Sequence, residues 1–133
     1  NMGDQVLINK FVYLVSNPKS GDVVVFLPNG NEKSHYYIRR VIGTPGDVVQ
    51  IKNGAIYING ELYNEKVSVA SMEDAGIASE EIKLGENEYF VLGDNRNNSE
   101  DSRYANIGNI KKEYILGKAW FRFNSMKDMG FIH

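Results

Sequence analysis

Two stretches of the chain concentrate side chains that can do chemistry. The first is Gly93-Asp94-Asn95-Arg96-Asn97-Asn98-Ser99-Glu100-Asp101-Ser102-Arg103, entered through the apolar run Tyr89-Phe90-Val91-Leu92. Asn, Asp and Ser hydrogen-bond their own and neighbouring backbone, so such a run is predicted to be a rigid polar loop rather than a helix or strand. At the end of a strand it can serve as a shelf for catalytic groups; it can equally be a solvated loop in which Asp101 and Arg103 pair at the surface. The second stretch is Tyr36-Tyr37-Ile38-Arg39-Arg40-Val41-Ile42-Gly43-Thr44-Pro45-Gly46-Asp47. Adjacent arginines in a strand point to opposite faces, so one of them is predicted to be buried or half-buried against whatever the strand covers. The alternative is an edge strand with both guanidinium groups reaching water. Thr44-Pro45-Gly46-Asp47 is a type II turn sequence, with Pro preset at its second position and Gly supplying positive φ at its third.

Composition narrows the chemistry. With 133 residues, 42% hydrophobic and 24% charged, the chain has the size and make-up of one globular domain. A net charge of -2 gives no long-range attraction to nucleic acid, which is not expected as a partner. The absence of cysteine removes disulfides, thiol nucleophiles and thiolate metal sites, while leaving the redox compartment open. The two histidines are His35 and His133, so a Ser-His-Asp triad would have to use His35, and a histidine-based zinc site cannot be assembled. No run approaches the roughly 18 apolar residues of a membrane span, and the chain as given is expected to be soluble. Its opening Asn1-Met2-Gly3-Asp4 reads as the start of a cut or tagged fragment.

The elements that must position these residues read as mainly β. Strands are predicted near 6–11, 22–27, 36–43, 48–52, 55–58, 89–92 and 118–123, where β-branched and aromatic residues are punctuated by Gly and Asn. Asn53-Gly54 and Asn59-Gly60 supply the positive φ of two-residue hairpins, so residues 48–63 are predicted to form a three-stranded meander with one buried face. Between Asn64 and Gly85 the alternation stops, and this part is expected to be the least ordered. Ser71-Met72-Glu73-Asp74 can cap a short helix there, and Lys111 to Leu116 can make a turn or two before the last strand. The closing residues from Met126 to His133 form a tail of unassigned order.

These stretches together resemble the type I signal peptidases, membrane-anchored serine endopeptidases that use a Ser-Lys dyad. The resemblance rests on Gly3-Asp4, on Gly21-Asp22-Val23-Val24-Val25-Phe26, and on Tyr37 to Asp47 with its Arg-Val-Ile-Gly-x-Pro-Gly-Asp core. It continues through Tyr57-Ile58-Asn59-Gly60, Tyr89-Phe90-Val91-Leu92 with the loop, and Gly117-Lys118-Ala119-x-Phe121-Arg122, in the family's order along nearly the whole chain. It implies a mainly β, signal-peptidase-like (LexA-like) complex β-fold with a small inserted cap. Residues 1–133 would form one extracytoplasmic domain, with a core of about 1–47 and 86–125 and an inserted meander and cap of about 48–85, capping the core away from the cleft. The related self-cleaving repressor fold, which also uses Ser-Lys, fits less well, because those domains lack the long meander and the loop as written here.

Two departures follow. The family's Ser-Met-x-Pro-Thr-Leu-x-x-Gly-Asp places the nucleophile upstream of Gly3-Asp4, and hence outside residues 1–133, along with the oxyanion donors. Ser71-Met72 repeats only the dipeptide, since Glu73-Asp74 follows it. The family's general-base lysine directly precedes the arginine of the Arg-Val-Ile-Gly run, and here that place holds Arg39. Burial can lower a lysine's pKa by several units and leave a neutral amine to take the serine proton. A guanidinium, with a pKa above about 12, cannot follow.

The resemblance also implies that Ser99 orients residue 39, that Asp101 and Arg103 form a structural ion pair, and that Asp94 with Arg96 shapes the turn. Asn95 and Arg40 would support the site, and Tyr37 and Ile38 would line the substrate strand. No metal or cofactor is implied. The expected activity is removal of N-terminal signal peptides from exported preproteins, at the cell membrane through an N-terminal anchor, with the domain on the extracytoplasmic side. The substrate would bind by strand addition, with small pockets for Ala-like residues. With Arg39 in place the chain is expected to be inactive. The alternative is a non-cleaving binding or chaperone protein for secreted or pilin-like subunits in surface pilus assembly, with Arg39 pairing to a carboxylate on the partner.

Overall fold

The apolar runs of the sequence pair into two antiparallel sheets. The computed structural model describes residues 4–65 and 72–123. In chain order the strands are β1 (Asp4–Asn9), β2 (Val23–Phe26), β3 (Tyr37–Gly43), β4 (Val48–Lys52) and β5 (Ala55–Ile58). They continue as β6 (Glu61–Leu62), β7 (Ile82–Lys83), β8 (Glu88–Leu92), β9 (Ile110–Lys111) and β10 (Ile115–Phe123). The larger sheet runs β1-β10-β2-β3-β8-β9 and the smaller runs β6-β5-β4-β7.

β3 and β8 are central in the larger sheet and are covered on both sides. Val41, Tyr89 and Val91 pack with Val24, Phe26 and Ile110 on one face. Ile42, Phe90 and Leu92 pack with Val49, Ile51 and Leu84 on the other, next to the smaller sheet. That double burial explains why Tyr89 to Leu92 is continuously apolar rather than alternating, and each such side chain contributes roughly 1.5–3 kcal/mol on burial. β4, covered on one face only, keeps the alternation of Val49 and Ile51 with more exposed neighbours.

The turns follow the local chemistry. Asn53-Gly54 and Asn59-Gly60 all have positive φ, at 52°, 77°, 54° and 83°, and they close the predicted meander β4-β5-β6. Gly46 has φ 88°, and the Asp47 N–H donates to the Thr44 carbonyl at 3.0 Å, closing the predicted turn.

Several boundaries differ from expectation. β1 ends at Asn9 rather than Phe11, because the Asn9 side chain accepts from the N–H groups of Phe11 and Val12 at 3.0 and 3.2 Å and turns the chain. A short helix, α1 (Val12–Val15), follows. The final strand begins at Ile115, three residues early, straight after a single 3-10 turn at Lys112–Tyr114. The stretch expected to be least ordered carries structure in its described part: β7, a 3-10 turn at Gly76–Ser79, and buried Met72, Ala78 and Leu84. That 3-10 turn has no side-chain cap. Ser71, expected with Met72, Glu73 and Asp74 to cap a short helix, lies outside the described residues, as do Met126 to His133. No helix among the described residues is long and apolar enough to cross a membrane.

Candidate active site

β3 and β8 are paired with Arg40 opposite Leu92 and Val41 opposite Val91, so the chain leaving β8 at Gly93 runs over the arginines of β3. Glycine is required at this exit. A Cβ on Gly93 would collide with the Ser99 hydroxyl and lie 3.4 Å from Arg39 Cδ, so the loop folds back tightly on its own first residue.

Asp101 and Arg103 hold that fold-back. Both are buried, at 0% and 1% exposure, and Arg103 donates to both Asp101 oxygens, from Nε at 2.9 Å and Nη2 at 3.0 Å. The N–H groups of Gly93 and Arg103 add two more donors, each at 3.1 Å. A carboxylate with this many partners tolerates burial. The surface pair considered from sequence is therefore corrected to an interior one. Ser102 stitches the same turn to β8 through Val91, accepting from its N–H at 2.9 Å and donating its own N–H to the Val91 carbonyl at 3.0 Å.

Arg96 is also buried, and its principal partner lies elsewhere than expected. It donates to the two Glu65 carboxylate oxygens at 2.8 and 2.6 Å and to the Gly93 carbonyl at 2.7 Å, whereas Asp94 lies 4.0 Å away. Asp94 instead receives a two-pronged bond from Arg40 at 2.9 and 2.8 Å, which raises the Arg40 pKa above its ordinary value. Arg40 also donates to the Gly21 carbonyl at 2.9 Å. Asp94 and Arg96 thus lie together at the turn, 4.0 Å apart, and each has its main partner elsewhere. Glu65 was missed from sequence. The one signal for it is that an arginine in an otherwise closed polar loop needs a carboxylate from outside.

Both arginines of β3 are half-buried, not one. Arg39 donates from Nε to the Glu100 carbonyl at 2.7 Å and from Nη1 to the Ile38 carbonyl at 2.8 Å. Its guanidinium lies 4.9 Å over the Tyr37 ring, which in turn stacks on His35 at 5.0 Å. Burial lowers the Arg39 pKa from its ordinary value, but a guanidinium starts so high that it still cannot accept a proton at neutral pH. The Ser99 Oγ is buried and makes no hydrogen bond. The structure therefore brings Ser99 and Arg39 together without the bond expected between them. Two of the three nitrogens of Arg39, Nε and Nη1, donate to backbone carbonyls, and its aliphatic stem lies near Gly93.

A cavity of about 630 Å³ opens here, lined in part by Ile38, Arg39, Asp94, Asn95, Ser99 and Tyr104. Tyr37 is outside this lining and acts beneath Arg39. The backbone carbonyl of Asn95 accepts from the Asn98 N–H at 3.0 Å, closing a turn within the loop. Among the described residues no group of three His, Cys, Asp or Glu is placed to hold a metal ion.

Fold and cavity define a mainly β domain with a polar shelf over a central arginine-bearing strand. A family model described as signal peptidase, peptidase S26, matches residues 1–124, and the chain belongs to this family. It is 38% identical over 121 residues to signal peptidase I P of Bacillus subtilis subsp. natto, covering 86% of this chain and 64% of that protein. It is 35% identical over 136 residues to the probable signal peptidase I-2 of Synechocystis sp., covering 98% and 60%. The chain thus spans less than two thirds of the length of these two relatives. A signal peptidase I structure from Enterococcus faecalis V583 matches with a TM-score of 0.58 at 29% identity, over 76% of this chain and 95% of that one. The architecture is the β-fold of signal peptidases.

Proposed function

We propose that the protein handles the signal peptides of exported preproteins as the extracytoplasmic domain of a signal peptidase I-type serine endopeptidase, anchored to the cell membrane through a segment outside residues 1–133. The observation that carries this reading is the polar cavity between β3 and the Gly93–Arg103 loop, in a chain matched by the family model along residues 1–124. Its roles are those the resemblance implies: the residue at 39 faces the reacting serine, Ser99 supports it, and Ile38 guides the peptide strand from the cavity wall, with Tyr37 beside it under Arg39. With arginine at position 39 the base is missing, so the peptide is held and not cut.

A second reading is favoured by one observation. Arg39 is half-buried and has no carboxylate within ion-pair distance among the described residues. It fits a non-cleaving binding protein for secreted or pilin-like subunits, in which the partner supplies the missing charge.

The two differ in what lysine restores. In the full-length parent protein, Arg39→Lys should raise cleavage of a preprotein by about 10²–10⁴-fold, the usual contribution of a general base. Cleavage by the arginine form at a rate equal to the lysine form would overturn the assignment of position 39 as the base position.

A further inference from the structure

Four arginines surround the loop, and three of them have carboxylates. Arg103 has Asp101, Arg96 has Glu65, and Arg40 has Asp94, each at 2.9 Å or less. Arg39 has none among the described residues. The acidic groups nearest it are committed elsewhere: Asp101 to Arg103, Asp94 to Arg40, and the Glu100 carboxylate to the Asn106 amide at 3.3 Å, while Glu100 offers Arg39 only its backbone carbonyl.

The guanidinium is nevertheless fixed. Its Nε and Nη1 are anchored on carbonyls and its face rests over Tyr37, while Nη2 has no hydrogen-bond acceptor among the described residues, in a side chain that lines the cavity. A charge taken halfway out of water and left without a counter-ion is costly unless a ligand completes it. A pre-positioned guanidinium recognises a carboxylate with high geometric specificity. Nearby, the buried Ser99 hydroxyl is a second polar group with no partner; the wall also carries Asp94, whose charge is paired with Arg40, and Glu100, whose carboxylate accepts from Asn106, with Asn95, Asn97 and Asn98 between them.

We propose that this cavity binds the terminal carboxylate of a peptide, with Arg39 as its principal donor. On the reading of the cavity as a signal-peptide cleft, on which this inference rests, the ligand is a peptide already cut: its new C-terminal carboxylate lies where an intact chain would carry an uncharged amide. The domain would then prefer the product of signal-peptide cleavage to the uncut precursor. No bond is made or broken.

The test uses the whole chain and a short synthetic peptide ending in alanine, prepared as the free acid and as the C-terminal amide, with binding followed by calorimetry. The free acid should bind at least about tenfold more tightly than the amide. Arg39→Gln should abolish that difference, and Arg39→Lys, which keeps the charge and loses the fork, should retain part of it. A thermal melt of each variant establishes that it is folded. Equal binding of acid and amide, or an acid preference that survives Arg39→Gln, overturns the carboxylate site while leaving the peptide cleft standing. Binding of neither peptide overturns this inference and the cleft reading together.

Discussion

At the scale of single residues, the loop is organised by ion pairs that differ in their debt to burial. Asp101 and Arg103 are both in the interior, and every oxygen of the carboxylate is engaged. Asp101→Ala would leave a guanidinium buried with only the Asp74 carbonyl, which Arg103 Nη1 reaches at 3.0 Å. The expected loss is about 3–5 kcal/mol, since removing one partner of a buried pair costs far more than the pair's net worth. Urea unfolding measures it directly, and a loss below about 1 kcal/mol, the range of an exposed pair, would contradict the interior assignment. The same residues explain why the loop is a shelf and not a flexible cover. Asp101 binds the N–H of Gly93, so the loop's end is tied to its beginning.

At the scale of elements, α1 is a single turn with little to hold it. Phe11, Leu14 and Val15 are 75%, 76% and 89% exposed, so its apolar packing rests on Tyr13, which lies against the core cluster of Val24, Phe26 and Tyr89. Tyr13 also donates its hydroxyl to Asp22 at 2.8 Å, on the segment leading into β2. Burial, and then the neighbouring Asp22 carboxylate, push the Tyr13 pKa far above the ordinary value of 10.0. The folded state therefore favours the protonated phenol. Stability from this group is complete below pH of about 10, where the unfolded chain also keeps the proton, and is lost as pH rises above it. Tyr13→Phe should flatten this alkaline decline relative to the parent protein. Urea melts from neutral pH to about pH 11 would show it, and parallel declines would mean that the phenol's titration does not couple to folding.

At the scale of the whole molecule, the smaller sheet and the site loop are joined by charge as well as by the apolar layer between the sheets. Glu65 follows the β6 strand and reaches buried Arg96, 31 residues away in sequence. Close by, the 3-10 turn at Gly76–Ser79 presses on the loop's end, where the Ile77 N–H donates to the Arg103 carbonyl at 2.8 Å. A Cβ on Gly76 would collide with that same carbonyl, and its φ of 58° also favours glycine. Glu65→Ala should destabilise the protein by about 3 kcal/mol, the lower part of the range for a buried pair, since Glu65 keeps some exposure. Hydrogen exchange should show the amides of the Gly93–Arg103 loop losing protection. Unchanged protection there would mean that the loop holds itself without the smaller sheet.

The features legible in the sequence were those with local causes. Asn-Gly and Pro-Gly dipeptides announced their turns because positive φ is a steric demand on one or two residues. The continuous and alternating apolar runs announced β3, β4 and β8, and the motif order announced the family. Very short strands such as β7 and β9 carry too little pattern to be seen, whereas β6 was visible only through the Asn59-Gly60 turn that precedes it. The site residues were visible as residues, yet their pairings were not. Asp94 and Arg96 are near neighbours in sequence, and each found its main partner far away, in Arg40 and Glu65. Which carboxylate reaches which arginine depends on how the strands stack in space, so only the tertiary structure could leave Arg39, on β3 beside the loop, without an ion partner among the described residues.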